Sequence, residues 1–245
     1  MSDSGSGVER YAAARRDVLD RIMAACARAG RDHGDVTLVA VSKTVPTEAL
    51  REAVAAGLDL LGENRVQEAM AKVPEVPGAR WQLVGPLQSN KARRALEVFD
   101  AIQSVDSVEL ARRLDWLVPE VRPADRYPIL VQVNVDLDQA KAGFAPADLD
   151  AALAELLILP HLDVRGLMTV GRLVSDPAEM RGTFRGLREL AEGARSRWPE
   201  LGPDLSMGMS DDFELAVEEG ATIVRVGRAL FGERPHEHEG ADHRH

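Results

Sequence analysis

Short apolar runs alternate with amphipathic segments along almost the whole of this chain of 245 residues. The runs are rich in Val, Ile and Leu, and their apolar residues are continuous rather than alternating with polar ones. This pattern is typical of parallel β-strands whose two faces are both covered by helices. Eight strands are predicted, at residues 36–42, 58–63, 81–85, 99–105, 127–135, 162–170, 203–209 and 222–228.

A helix is predicted after each of these strands except the last, and an additional helix is predicted before the first, at residues 8–29. This repeated strand–helix pattern predicts the α/β class. Eight units are the number that closes a (β/α)8 TIM barrel. The first strand is not followed by the glycine-rich motif of a dinucleotide-binding open sheet. We therefore predict a single barrel domain over residues 8–234.

The two ends of the chain lack this pattern. Residues 1–7 are rich in Ser and Gly, and residues 235–245 are polar and contain His236, His238, His243 and His245. Both ends are predicted to be disordered, because they have too few apolar residues to pack. The histidines could bind a metal ion, but a solvated tail is the simpler interpretation, and we predict no metal site.

Composition and charge exclude several classes of protein. The formal net charge of −10 argues against a nucleic-acid-binding protein, but it leaves room for a local basic pocket that receives a small anion. The polar start does not resemble a secretory signal, and no apolar stretch is long enough to cross a membrane. The single cysteine, Cys26, excludes an internal disulfide and lies in a helical pattern, where core packing is expected. We expect a cytoplasmic protein.

Lys43 directly follows the first predicted strand, at the end of a barrel where active sites lie. It shares a strand face with Thr37, Val39 and Val41, so we expect its amino group to point to the barrel mouth. Burial would lower the pKa of this amine and make it available to attack a carbonyl carbon. A lysine that simply extends from the strand end to solvent is the alternative interpretation.

Arg225 is the second informative residue. In the eighth predicted strand, Ile223, Arg225 and Gly227 share one face, and the apolar surroundings predict that this face is buried. A buried guanidinium requires a partner, because an unpaired charge is very unfavourable there. A structural carboxylate would serve, and so would the ring nitrogen of a pyridine cofactor.

The loops after the last two strands are where barrels commonly bind phosphate. We predict that Ser210 caps a helix over residues 211–218 and that the backbone N–H groups at its start attract an anion. Gly227 would allow close approach of the backbone, and Arg228 would add positive charge. An N-cap serine alone has no functional meaning, so the prediction rests on its occurrence together with Lys43 and Arg225.

Seven segments carry a resemblance to a known family: VAVSKT (39–44), GENRVQE (62–68), WQLVGPLQSNK (81–91), QVNV…KAGF (132–144), RGLMTV (165–170), LSMGMSDDFELAVEEGAT (205–222) and VRVGRALFG (224–232). Together they closely resemble the family of pyridoxal 5′-phosphate (PLP) homeostasis proteins. Members of that family are related to the N-terminal barrel of alanine racemase. The resemblance extends in order from about residue 8 to residue 234.

The resemblance implies roles for individual residues. Lys43 would hold PLP as a Schiff base, and Arg225 would contact the pyridine nitrogen. The phosphate would be bound by Ser210 and by the backbone at Gly227 and Arg228.

Four further residues are implied by the same match. Asn64 would lie beside the cofactor, and Met207 and Met209 would flank it, although both methionines would also suit a plain core. Lys141 matches a family lysine that is associated with moving PLP on or off the protein.

The resemblance implies a PLP carrier or buffer, without catalytic activity, that supplies PLP to apoenzymes. The main alternative is a PLP-dependent amino-acid racemase. It would need a second acid or base opposite the lysine, and we expect neither Tyr11 nor Tyr127 at the barrel mouth and no second domain. A barrel enzyme for an unrelated phosphorylated substrate is a third possibility. We expect a monomer.

Overall fold

The computed structural model describes residues 4–124, 126–171 and 176–232, and it contains a closed barrel of parallel strands. The strands follow one another in chain order, and the last pairs with the first. Their bounds are β1 Thr37–Val41, β2 Leu60–Glu63, β3 Arg80–Leu83, β4 Ala101–Val105, β5 Tyr127–Gln132, β6 Leu162–Met168, β7 Asp204–Ser206 and β8 Ile223–Val226. The predicted (β/α)8 barrel is therefore confirmed.

Helices surround the barrel. Their bounds are α1 Ser4–Arg28, α2 Thr47–Ala55, α3 Val66–Lys72, α4 Ala92–Val98, α5 Val108–Val121, α6 Leu149–Leu156, α7 Pro177–Arg197, α8 Phe213–Glu218 and α9 Arg228–Phe231. Short 3-10 turns lie at His33–Asp35, Val73–Glu75, Ser89–Lys91 and Pro146–Asp148. Two details differ from the predicted pattern. The first helix begins at Ser4 rather than at residue 8, and β8 is followed by a short helix.

The alternation of side chains along each strand separates two apolar layers. Inside the barrel, a small cluster contains Val39, Leu60, Leu130, Met168 and Ile223. The next residues along the strands, such as Ala40 and Val224, belong to the larger core between the barrel and its helices. In the register of β1 with β8, Val39 is paired with Arg225, so this arginine lies at the same level of the barrel as the inner cluster.

The first helix is fixed against the barrel over its length. Cys26 is buried on its inner side, as the helical pattern predicts. Arg21 donates two hydrogen bonds to Glu214 of α8, and Arg28 pairs with Glu218 of the same helix. The start of α1 lies near the top of β1 and β8, where Tyr11 packs edge-on against Phe231 of α9. This packing brings the N-terminal turns of α1 to the barrel mouth.

The predictions for the ends of the chain fall mostly outside the described residues, as the tail at 235–245 does entirely. Within the described part, no group of histidine, cysteine or acidic side chains has the arrangement of a metal site. None of the described helices is both long enough and apolar enough to span a bilayer.

Candidate functional site

Lys43 lies in a tight turn at the end of β1. The turn comprises Ser42, Lys43, Thr44 and Val45, and it is closed by a hydrogen bond of 3.0 Å from the Val45 N–H to the Ser42 carbonyl. Thr44 has a φ of 65°, a conformation that glycine adopts more easily and that is found at the third position of type II turns. The Thr44 hydroxyl donates to the Lys43 carbonyl. The backbone around Lys43 is thus held by bonds on both sides of it.

A buried ion pair supports this turn from below. The Lys72 ammonium lies 2.6 Å from Oε1 of Glu63, which is completely buried, and it also donates to the Ser42 carbonyl over 2.8 Å. The Ser42 hydroxyl donates to the same Glu63 oxygen. Residues of β1, β2 and α3 are therefore bonded together next to Lys43. Sequence reasoning did not identify Lys72, because its role depends on a contact across three elements.

Arg225 is buried inside the barrel, as predicted, with an exposed fraction of 4%. Its guanidinium donates to the Ser206 hydroxyl and to the Thr169 carbonyl, each over 2.7 Å. Neither acceptor is a carboxylate, so the structural carboxylate considered as its partner is not found among its described hydrogen bonds. Burial lowers the pKa of Arg225 to about 10, partly opposed by the charge of Asp212, and the group remains protonated at neutral pH.

A chain of polar side chains crosses the barrel from Arg225. The Ser206 hydroxyl donates to Gln103 over 2.6 Å, and Gln103 in turn donates to Gln82. Gln103 and Ser206 are both buried. The chain links β8, β7, β4 and β3, and it fixes the orientation of the Ser206 hydroxyl that accepts from Arg225. No sequence pattern pointed to Gln103, which lies 103 residues from Ser206.

Ser210 has a different role from the predicted one. The helix α8 begins at Phe213, and its N-cap is Asp212, so the prediction that Ser210 caps this helix is wrong. The Ser210 hydroxyl oxygen instead accepts from the N–H groups of Gly227 (3.1 Å) and Ala229 (3.4 Å). It prefers those donors because the loop after β7 folds towards β8 rather than along α8. The Ser210 proton remains available for donation to a ligand.

Gly227 and Arg228 continue from β8 into α9. A Cβ atom at Gly227 would lie 3.3 Å from the Val41 carbonyl oxygen, so the backbone of β8 lies close to that of β1 at this glycine. Arg228 is half-exposed and forms an ion pair with Asp211, whose side chain is also exposed. An exposed pair of this kind contributes little stability and can exchange partners.

A cavity of about 250 Å³ lies at this end of the barrel. Lys43, Gly227 and Arg228 line it together, so the structure brings three of the predicted site residues to one space. Arg10 and Tyr11 of α1 form another part of its wall. Tyr11 was expected away from the barrel mouth, but it lines this cavity beside Lys43 because α1 packs against α9 there.

The remaining predicted residues, including Arg225 and Ser210, do not line this cavity. Asn64 follows β2, and its backbone contacts Gly85 so closely that a Cβ there would overlap it. Met209 is partly buried, whereas Met207 is fully buried in the core between the barrel and its helices. This position suits the plain core role that was left open for Met207.

Lys141 connects two loops at the mouth. Its ammonium donates to the carbonyls of Val170 (3.2 Å) and Gly171 (2.8 Å) beyond β6, and it lies 3.7 Å from Asp138. Asn134 organises the loop that carries Lys141 by donating to the carbonyls of Asp138 and Lys141. The lysine is thus positioned over the mouth rather than extended into solvent.

Comparisons with known proteins agree with this architecture. A family model for the alanine racemase N-terminal domain matches residues 18–235. The chain is 46% identical over 222 residues to the pyridoxal phosphate homeostasis protein of Pseudomonas aeruginosa, covering 89% of this chain and 93% of that protein.

Two solved structures extend the comparison. PipY of Synechococcus elongatus, solved with PLP bound, superposes with a TM-score of 0.76 and 44% identity over 88% of this chain and all of that one. The alanine racemase of Corynebacterium glutamicum superposes with a TM-score of 0.72, over 93% of this chain and 62% of the racemase. Its identity is only 18%, so this second likeness concerns the fold alone.

Proposed function

Because the chain belongs to the family of pyridoxal phosphate homeostasis proteins, we propose that it binds PLP at its barrel mouth and takes part in PLP homeostasis. The proposed location is supported by one observation, which is that Lys43, Gly227 and Arg228 line the same cavity. A primary amine and a cationic side chain within one cavity match the aldehyde and the phosphate of PLP. When bound, PLP supplies an aldehyde that condenses with an amine, and a phosphate that carries negative charge.

Lys43 is the amine in this proposal. Its turn is closed by the Val45 to Ser42 hydrogen bond and is supported by Lys72, so the amine approaches a ligand from a fixed backbone. A preorganised group loses less conformational entropy when it reacts than a lysine on a loose loop would lose. The Ser42–Val45 turn therefore favours Lys43 over other lysines as the attachment point.

Arg225 suits the pyridine ring nitrogen. Its guanidinium is buried and already donates to two neutral oxygen atoms, and an unprotonated pyridine nitrogen is a further neutral acceptor. An arginine does not give up its proton readily, so it keeps a ring nitrogen unprotonated. An unprotonated ring withdraws electrons less strongly, which limits the chemistry that bound PLP can support.

The phosphate is assigned to Ser210 and to the backbone at Gly227 and Arg228. Since the Ser210 oxygen accepts from two backbone N–H groups, its own proton is the one it can donate to a phosphate oxygen. The proposed surroundings of PLP are completed by Asn64, Met207 and Met209. The side chain of Met207 lies in the core, so this residue would contact PLP only through its backbone or support the site from below.

The role of the protein is PLP homeostasis rather than racemisation. The curated relatives are named homeostasis proteins and not racemases. Although Tyr11 lines the cavity, its side chain is only 2% exposed and its hydroxyl accepts a hydrogen bond from Arg10 over 2.6 Å. A phenol held next to a guanidinium in this way is not positioned as a free acid or base.

The same proposal includes three further properties of the protein. The protein supplies PLP to apoenzymes, it works as a monomer in the cytoplasm, and Lys141 assists the movement of PLP. Support for the role of Lys141 comes from its bonds to Val170 and Gly171, which place an amine beside the mouth without placing it in the cavity of Lys43.

The absorption spectrum of the purified protein tests the proposal. Addition of PLP should produce a band near the violet edge of the visible range, and borohydride reduction should fix the adduct to one lysine that peptide mass spectrometry identifies as Lys43. A protein that remains colourless with excess PLP and yields no reduced adduct would contradict the proposal.

A further inference from the structure

The cavity beside Lys43 has a wall that the proposed site residues do not explain. Its lining includes Lys43, Gly227 and Arg228, and it also includes Arg10 and Tyr11 from the first turns of α1. The helix α1 precedes the eight strand–helix units, so it is an addition to the barrel rather than a part of it.

The charge of this cavity is one-sided. Three of its lining residues, Arg10, Lys43 and Arg228, are cationic, and none of the described residues that line it is acidic; Arg228 is paired with Asp211 outside the lining. The chain as a whole has a net charge of −10, so the local excess of positive charge is opposite to the overall one. Cationic side chains that converge on one space attract an anion.

Arg10 is held in place although it is exposed. Its guanidinium donates to the Tyr11 hydroxyl over 2.6 Å and lies 4.5 Å from the centre of the Tyr11 ring. Tyr11 is in turn fixed by edge-on packing against Phe231, with 5.7 Å between ring centres. Among the described residues Arg10 forms no ion pair, and its described hydrogen bond goes to the Tyr11 hydroxyl.

We propose that Arg10 and Tyr11 of α1 form the outer wall of the phosphate site, with Arg10 as a direct electrostatic partner of the PLP phosphate. This inference rests on the proposed function, and it adds α1 to the residues of the barrel loops. In the assembled site, the phosphate lies between the loop at Gly227 and Arg228 and the Arg10 side chain. Tyr11 fixes the direction of the guanidinium through the hydrogen bond at its hydroxyl.

The test compares PLP with pyridoxal, which has the aldehyde but lacks the phosphate. Both ligands are titrated against the full-length protein and against Arg10→Gln, Tyr11→Phe and Arg16→Gln, with the absorbance of the adduct as the readout. Arg16→Gln removes the same charge from an exposed position of α1 that does not line the cavity. It controls for the change in net charge.

We expect Arg10→Gln to weaken PLP binding by about three- to tenfold, since a charge-assisted contact to phosphate is lost. Its affinity for pyridoxal should change by less than about twofold, and Arg16→Gln should leave both affinities unchanged. Tyr11→Phe should weaken PLP binding less than Arg10→Gln does, and thermal unfolding checks that it remains folded.

Two outcomes would overturn the inference while leaving the proposed function intact. One is wild-type PLP affinity in Arg10→Gln, and the other is an equal loss of affinity for PLP and pyridoxal in that variant. If the unmodified protein forms no adduct with PLP at all, the proposed function itself fails, and the inference fails with it.

Discussion

The ammonium of Lys72 and the carboxylate of Glu63 form an ion pair of 2.6 Å directly beneath the turn that carries Lys43. The Glu63 side chain is completely buried, and that of Lys72 is 11% exposed. The Ser42 carbonyl accepts two hydrogen bonds, one from the Lys72 ammonium and one from the Val45 N–H. The pair therefore couples the stability of the barrel top to the geometry of the Lys43 turn.

Removal of the Lys72 charge should destabilise the protein. Lys72→Met leaves the buried Glu63 carboxylate without its cation, which typically lowers the free energy of unfolding by about 3–5 kcal/mol. Urea denaturation of the PLP-free protein measures the effect. Arg80→Met, which breaks an exposed pair with Asp59, is the matched control and should lower the free energy of unfolding by less than about 1 kcal/mol. A loss in Lys72→Met no larger than in the control would show that the pair does not stabilise the turn.

Replacement of Lys43 should abolish covalent binding. In Lys43→Ala the amine at the turn is absent, so borohydride should fix no PLP at this position, as peptide mass spectrometry would reveal. Lys141→Ala is the matched control, since it removes another lysine at the barrel mouth that is bonded to the carbonyls of Val170 and Gly171. A wild-type adduct that maps to Lys141 would disprove the assignment.

Reversal of the charge at Arg225 should alter the absorption spectrum of bound PLP and the affinity for PLP. Arg225→Glu removes the hydrogen bonds to Ser206 and Thr169 and favours a protonated pyridine nitrogen, so the absorption band and the PLP affinity should both change. Arg165→Glu, at an exposed position, controls for net charge. An unchanged spectrum and affinity in Arg225→Glu would identify Arg225 as a structural residue only.

Racemase activity should be absent. Purified protein loaded with PLP should not convert L-alanine to D-alanine, because Tyr11 is buried and bonded to Arg10 and so does not provide the second acid or base. Chiral chromatography of the reaction mixture measures this directly. Sustained conversion that is lost in Lys43→Ala would contradict a role restricted to homeostasis.

The phosphate should provide a large part of the affinity. Pyridoxal is expected to bind at least about tenfold more weakly than PLP, a difference of roughly 1.4 kcal/mol. Ser210→Ala should lose part of this difference, because the hydroxyl that donates to the phosphate is absent, while the adduct at Lys43 still forms. Equal affinities for pyridoxal and PLP would show that the loops after β7 and β8 do not bind the phosphate.

The amino-acid sequence by itself determined the barrel. Strand and helix periodicities are local properties, and the continuous apolar runs require cover on both faces, so eight repeats in series lead to a closed parallel sheet. The same locality explains why the position of Lys43 after β1 and the burial of Arg225 could be predicted. Each follows from the position of one residue in one strand, and the inward face of β8 is set by the two-residue repeat of its side chains.

The tertiary structure decided the contacts between those elements. The Ser210 hydroxyl bonds to the N–H groups of Gly227 and Ala229 rather than capping α8, and Arg225 reaches Thr169, which lies 56 residues away. Tyr11 reaches the barrel mouth because α1 packs against α9. Hydrogen bonds and packing of this kind depend on distances between segments that are remote in the chain, and a periodic pattern carries no information on such distances.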